Sequence, residues 1–162
     1  MQRPKVLVVF YSRTGSNRKL ALSLKKKLRA EYEEIVEEKE RAGKIGFFYC
    51  GLDTLLNRGA KIRKPKEDPS DYNLAVLVTP IWVGRMPPAV RAYLAQNREK
   101  FKNLALLSVS KSGTMNPEAV SDFERHSGKK PVCTLLLKEK DVEKRTHEKR
   151  FEGFIRELES FV

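Results

Sequence analysis

Apolar residues fall along the chain in five short runs: "KVLVVFY" (5–11), "YEEIVEE" (32–38), "LAVLVT" (74–79), "NLALLSVS" (103–110) and "VCTLLL" (132–137). The first, third and fourth are nearly unbroken Val, Leu and Ala, the pattern of parallel strands covered on both faces. The second alternates and carries more charge, which suits a sheet edge. Between the runs the period lengthens. Leu20, Ala21, Leu24 and Leu28 make one stripe at helical spacing. Val90, Tyr93, Leu94 and Asn97 lie on a second helix, which opens with Pro87-Pro88, where proline is tolerated best. Asn116-Pro117-Glu118 reads as a helix start and Ser127-Gly128 as its stop. Phe151, Phe154, Ile155 and Leu158 give a last helix its apolar face.

Strand and helix thus alternate five times, which predicts an α/β fold: a three-layer, doubly wound, five-stranded parallel sheet. Right-handed crossovers place every strand-to-helix turn at one end of that sheet. In the stretch 40–65, "GFFYCGLDTLL" reads as a short helix, and "KIRKPKEDPSDY" after it reads as a charged surface loop. No internal repeat or compositional break divides the chain, so residues 1–162 are expected to form one domain.

Charge modifies this picture. The sequence holds 33 Lys and Arg against 21 Asp and Glu, a formal charge of +12 that favours acidic partners. Much of it is interleaved with acids, as in "KEKDVEKRTHEKR" (138–150), which reads as a solvated helix face. A nucleic-acid role would rest on net charge alone, and no recognition motif supports it. Cys50 and Cys133 lie outside any paired-ligand spacing; Cys133 sits in an apolar run and reads as core, Cys50 as helix packing, and no metal is expected. The chain has neither a signal-peptide pattern nor an apolar stretch near the roughly 18 residues of a membrane span, which points to a cytoplasmic protein.

Ligands of open α/β sheets bind beyond the carboxyl ends of the strands, so three turns carry the candidate chemistry. In the first, Ser12-Arg13-Thr14-Gly15-Ser16-Asn17, three hydroxyls, an amide and successive N–H groups converge at a helix N-terminus. That set suits a phosphate. The same residue types suit a capped strand-to-helix turn, and the turn alone does not decide between them. The absence of Gly-x-Gly-x-x-Gly and of Gly-Lys-Ser/Thr disfavours a dinucleotide site and a P-loop, and leaves donors for one terminal phosphate. The second turn, "TPIWVGRMPPAV" (79–90), places Trp82 in a loop bounded by Pro and Gly, where it reads as a wall for a flat ring rather than a plug of the core. The third, Ser110-Lys111-Ser112-Gly113-Thr114, is a small polar loop at the same end: a third contact or an ordinary turn.

Together the Ser-x-Thr-Gly loop and "DYNLAVLVTPIWVGRMPPAV" (71–90), in that order and one strand–helix unit apart, resemble the flavodoxin-like, FMN-binding family. The resemblance implies a flavodoxin-like strand order of 2-1-3-4-5 and FMN as cofactor. It implies that Ser12, Arg13, Thr14, Gly15, Ser16 and Asn17 hold the phosphate, and that Pro80, Ile81, Trp82, Val83, Gly84 and Met86 line the isoalloxazine. Ser110, Ser112 and Gly113 would form the third contact loop. Where the family commonly ends its phosphate loop in Asn-Thr, this chain has Ser16-Asn17, an amide donor in place of a hydroxyl. The family's electron carriers are typically acidic, whereas this chain is basic.

Bound flavin would carry the redox chemistry. Arg85, in the ring-binding loop, would favour the reduced state, or else face solvent. Phe47-Phe48-Tyr49 reads as helix packing in preference to a border of the substrate mouth. His126 and His147 sit in charged helices and read as surface residues, so no catalytic acid or base is assigned. Two functional classes follow: an electron carrier docking acidic, ferredoxin-like redox proteins, or an NAD(P)H-dependent oxidoreductase reducing a quinone or similar acceptor. A phosphate-switched receiver would need an aspartate ending strand three, where this chain has Thr79.

Overall fold

The computed structural model describes residues 5–38 and 60–162. Its elements are β1 (Val6–Phe10), α1 (Ser16–Leu28), β2 (Glu31–Glu34), β3 (Leu74–Pro80), α2 (Pro88–Gln96), β4 (Leu104–Ser110), α3 (Pro117–Ser127), β5 (Thr134–Lys138), α4 (Glu139–Glu143) and α5 (Glu148–Glu159). The five strands form one parallel sheet in the order β2-β1-β3-β4-β5. The helix expected from "GFFYCGLDTLL", with Phe47, Phe48, Tyr49 and Cys50, lies outside the described residues.

Alternate residues of each central strand feed opposite layers. Val6, Val8 and Phe10 of β1, with Leu74, Val76 and Val78 of β3, pack against Leu20, Ala21 and Leu24 of α1 and Phe151, Phe154, Ile155 and Leu158 of α5. Leu7 and Val9, with Ala75 and Leu77, pack against Ala89, Val90, Tyr93 and Leu94 of α2 and Phe123 of α3. Burying both faces removes the hydrophobic alternation that a half-exposed strand would show, which is why β1, β3 and β4 read as continuous apolar runs. Cys133 belongs to the first layer, and burial pushes its thiol up to about 12.

The polar ends of the strands are tied together. Asn73, just before β3, accepts from Lys5 N–H through Oδ1 at 3.1 Å and donates its own N–H to Lys5 O at 2.8 Å. Its carbonyl accepts from the side chain of Asn103, ahead of β4, at 3.0 Å.

Two expectations need correction. The segment 138–150 is not one helix face: α4 ends in a turn in which Arg145 takes φ 57°. Thr146 N–H bonds Asp141 O at 2.9 Å and Arg145 N–H bonds Val142 O at 3.3 Å, the paired bonds of a Schellman stop, and α5 starts three residues after Arg145. The segment 61–72 is more than a charged loop, since Ile62, Pro69 and Tyr72 are buried and Ile62 pairs antiparallel with Glu37. This pairing takes over where β2 stops at Glu34, short of the expected Glu38. Among the described residues, no helix is long and apolar enough to cross a membrane.

Candidate functional site

A cavity of about 970 Å³ opens beyond the carboxyl ends of the strands, at the upper end of ordinary small-ligand sites. Its wall brings together all three turns: Ser12, Arg13, Thr14, Ser16 and Asn17 from the first, Pro80, Ile81, Trp82, Val83 and Gly84 from the second, Ser110 and Ser112 from the third. Three predicted residues lie outside that wall. Gly15 and Gly113, at φ 92° and 73°, shape their turns. Met86 was expected to line the ring; its side chain is instead fully buried in the α2/α3 layer, because the chain dives inward before Pro88.

The first turn bears on a choice that the sequence leaves open. Gly15 occupies the N-cap position of α1 in the left-handed conformation, and no side chain caps the helix. At the same end of the sheet, α3 has its Asn116 side chain accepting from Ala119 N–H. The hydroxyls around α1 are therefore not spent as a cap. Ser12 Oγ accepts from Gly15 N–H at 3.0 Å, which tightens the turn and leaves its O–H to donate. Thr14 is exposed and Ser16 half-buried, both on the cavity wall. Hydroxyl groups thus stand beside the positive end of the α1 dipole, where such groups can suit an anion. Asn17, also on the wall, donates from Nδ2 to Tyr11 O at 3.2 Å. Its Oδ1 is buried without a hydrogen-bond partner.

The second turn is a two-residue hairpin. Trp82 and Arg85 exchange backbone hydrogen bonds at 2.9 and 2.8 Å, with Val83 at φ 49° and Gly84 at φ 72° between them, a type I′ turn. A Cβ at Gly84 would stand 2.3 Å from Asn116 Nδ2, so the Asn116 side chain would have to move, and φ 72° adds strain. The Trp82 ring meets Tyr11 edge-on at 5.6 Å and carries the Arg13 guanidinium 5.8 Å from its centroid. Tyr11 in turn donates to Glu37 Oε1 at 2.6 Å, which ties the wall to the β2 edge of the sheet.

Arg85 does not line this cavity. Its Nε and Nη2 donate to both carboxylate oxygens of Asp122 at 2.8 and 2.6 Å, and Asp122 Oδ2 also accepts from Met86 N–H at 3.2 Å. Asp122 is only 1% exposed. Burial pushes its carboxyl upward, but the Arg85 bonds and the Met86 N–H outweigh this and hold it below the ordinary carboxylate value. The same bonds raise Arg85. Arg85 is thus a brace between the Trp82 hairpin and α3, and the expected influence on a ring falls away.

The third turn is a hydroxyl network: Ser110 Oγ accepts from Gly113 N–H at 2.9 Å, and Ser112 Oγ lies 2.8 Å from Thr114 Oγ1. The cavity also takes in Val109, Lys111, Thr114, Asn116 and Glu139, which were not named as site residues. The position of Glu139 was accessible to the rule used for the other turns, because it follows β5 at the same sheet end. His126 and His147 line no part of the cavity; they are half-buried, each bonding a backbone carbonyl through Nδ1. Among the described residues no cluster of metal-ligating side chains occurs.

No protein-family model matches the sequence. No curated protein sequence matches it either. Solved structures do resemble it. A flavoprotein from Lactobacillus acidophilus NCFM, in complex with FMN, superposes with a TM-score of 0.70 at 21% identity, over 87% of this chain and 97% of its own. Fusobacterium nucleatum flavodoxin bound to flavin mononucleotide gives 0.61 at 11% identity, over 97% and 98% of the two chains. Oxidised flavodoxin 2 from Bacillus cereus gives 0.54 at 17% identity, over 98% and 99%. With the observed strand order, these likenesses establish that the chain has the flavodoxin-like fold.

Proposed function

We propose that the cavity binds FMN and that the chain passes electrons through it between redox partners. The observation that carries this is the uncapped start of α1, whose donors open into the same cavity as the Trp82 wall. A single phosphate fits the cradle, since no lysine stands within the turn to reach a second. The structures of similar fold that hold FMN add support.

Bound flavin supplies the redox chemistry. The chain's own residues bind, orient and shield. Ser12, Thr14 and Ser16, with the first N–H groups of α1, would take the phosphate oxygens. Trp82, Ile81 and Val109 would exclude water from the ring, and the Ser110–Thr114 loop would offer hydrogen bonds to its polar edge. No general acid or base is required of the protein for a carrier, and the +12 charge fits acidic, ferredoxin-like partners.

The test is FMN titration of the purified protein, followed by flavin fluorescence and the visible spectrum. FMN binding is expected, with riboflavin at least roughly tenfold weaker for want of the phosphate contacts. An unchanged FMN spectrum would sink the proposal. Mixing the loaded protein with NAD(P)H and a quinone then separates the classes. A carrier gives no turnover without a partner reductase, whereas direct NAD(P)H oxidation assigns an oxidoreductase.

A further inference from the structure

Among the described helices, α1 stands apart in its charge. It carries Arg18, Lys19, Lys25, Lys26 and Lys27 with no carboxylate, and Arg29 follows at its end. On its outer face Leu22 is 44% exposed. The surface neighbours of a helical residue are those three and four positions to either side. For Leu22 all four are cations: Arg18, Lys19, Lys25 and Lys26. Beside them on β2, Tyr32 is also exposed; its ring stacks on Phe10 with centroids 6.2 Å apart and carries Lys25 Nζ at 4.2 Å. Carboxylates answer only part of this charge. Glu34 pairs with Arg18 at 2.5 Å, and Glu152 pairs with Lys27. By the alternation of a strand, Glu31 and Glu33 point to the other face of the sheet. There Glu31 acts on Tyr72, and Glu33 accepts from the N–H groups of Lys66 and Glu67. Lys19, Lys26 and Arg29 make no ion pair among the described residues.

Helix stability accounts for the lysines in the last turn of α1, which gain from its dipole, but not for Lys19, which lies in the first turn where a cation is disfavoured. We infer that the Leu22 face of α1 is a docking surface for an acidic protein, with Leu22 entering an apolar depression rimmed by carboxylates. An apolar centre inside a charged rim is the anatomy of a protein interface, and the single sign of this rim fixes the sign of the partner. A bilayer fits less well, because Leu20, Ala21 and Leu24 are spent in the core and leave one leucine to enter lipid. Nucleic acid also fits less well: Tyr32 is already stacked on Phe10 and covered by Lys25, so it offers no platform for a base. Ser16 lines the cavity, and Leu22 stands about 9 Å further along the helix axis. A partner seated on Leu22 therefore lies beside the cavity. The choice of a redox protein as that partner rests on the proposed function; the docking face does not.

The experiment is a calorimetric titration of the full chain with an acidic plant-type [2Fe–2S] ferredoxin at low salt. The native protein is expected to bind it, more weakly as salt is added. Lys19→Glu with Lys26→Glu should weaken binding by roughly tenfold or more, and Leu22→Ala by roughly fivefold. These side chains are exposed, so the variants keep the fold, which circular dichroism checks. Lys144→Glu with Lys149→Glu makes the same change of net charge at exposed positions on the α4–α5 side and should leave the affinity within roughly twofold. No binding by the native protein, or equal weakening by the two charge-reversed pairs, overturns the inference. So does preferential binding of phosphatidylserine vesicles or single-stranded RNA that the Lys19 and Lys26 changes abolish, since either would assign this face to another partner. FMN titration of the same proteins separates the two readings. A native chain that takes no FMN refutes the cofactor, while ferredoxin affinity lost only in the Leu22 and Lys19–Lys26 variants supports the docking face on its own.

Discussion

Removing the Asp122 carboxylate tests the brace behind the Trp82 hairpin. Asp122→Ala deletes the acceptor of two charge-assisted bonds from Arg85 and of one from Met86 N–H. Each charge-assisted bond contributes about 1.5–3 kcal/mol, and breaking a fully buried pair from one side costs about 3–5 kcal/mol. Here the guanidinium is 21% exposed and can turn partly to water, so the lower end of that range applies, about 3 kcal/mol. For a chain of this size that lowers Tm by about 6–12 °C, read by circular dichroism and checked by urea unfolding. Arg85→Met together with Asp122→Ala should recover part of the loss, because the Arg85 charge is no longer left behind without its carboxylate. A single variant within about 0.5 kcal/mol of the native protein would refute the assignment of a buried brace. The pH dependence follows with a fixed sign. Asp122 is held below its unfolded value, near about 3.9, so its stabilisation is complete above that pH and is lost as pH falls through the depressed folded value. Asp122→Ala should therefore flatten the acid limb of the stability curve.

Three further outcomes are expected. Ser12→Ala removes both the acceptor of Gly15 N–H and a donor to the cradle, and should weaken FMN by roughly tenfold while leaving riboflavin affinity unchanged by fluorescence titration. Val83→Asn should stabilise the protein by about 1 kcal/mol in urea unfolding, because a β-branched residue at φ 49° is strained where a type I′ turn prefers Asn. Gly84→Ala should destabilise by about 1–3 kcal/mol in the same assay, since φ 72° and the side chain of Asn116 both oppose a Cβ.

Much of the architecture was legible because burial on both faces leaves a compositional trace. The apolar runs of β1, β3 and β4 carried it, and Pro and Gly marked the bounds of α2 and α3. The first turn was legible as a set of residue types, but whether its hydroxyls cap α1 was a matter of Gly15's conformation, which no composition encodes. Arg85 was misplaced because its partner lies 37 residues away, on a helix where Asp122 looks like one more polar position. Met86 was misplaced for a related reason: loops have no period, so nothing in sequence distinguishes an inward residue from one facing a ligand. The break at Arg145 was hidden because an arginine stands where a helix stop usually has glycine.

The strands' double burial bears on how this site is aligned. In a half-exposed sheet a slip of one residue throws apolar side chains into water, and hydrophobicity itself enforces alignment. In β1 and β3 such a slip would only exchange one greasy set for another, Val6-Val8-Phe10 for Leu7-Val9. Alignment must then be keyed by polar groups, and Asn73 supplies the key, locking Lys5 by two bonds and the side chain of Asn103 by a third. Those locks stand at the opposite end of the strands from the cavity. A shift of one position there would travel about 3.3 Å along the strand and part the first turn from the Trp82 hairpin across the cavity. The geometry of the cavity end is indexed from a pair of asparagines at the far end of the strands.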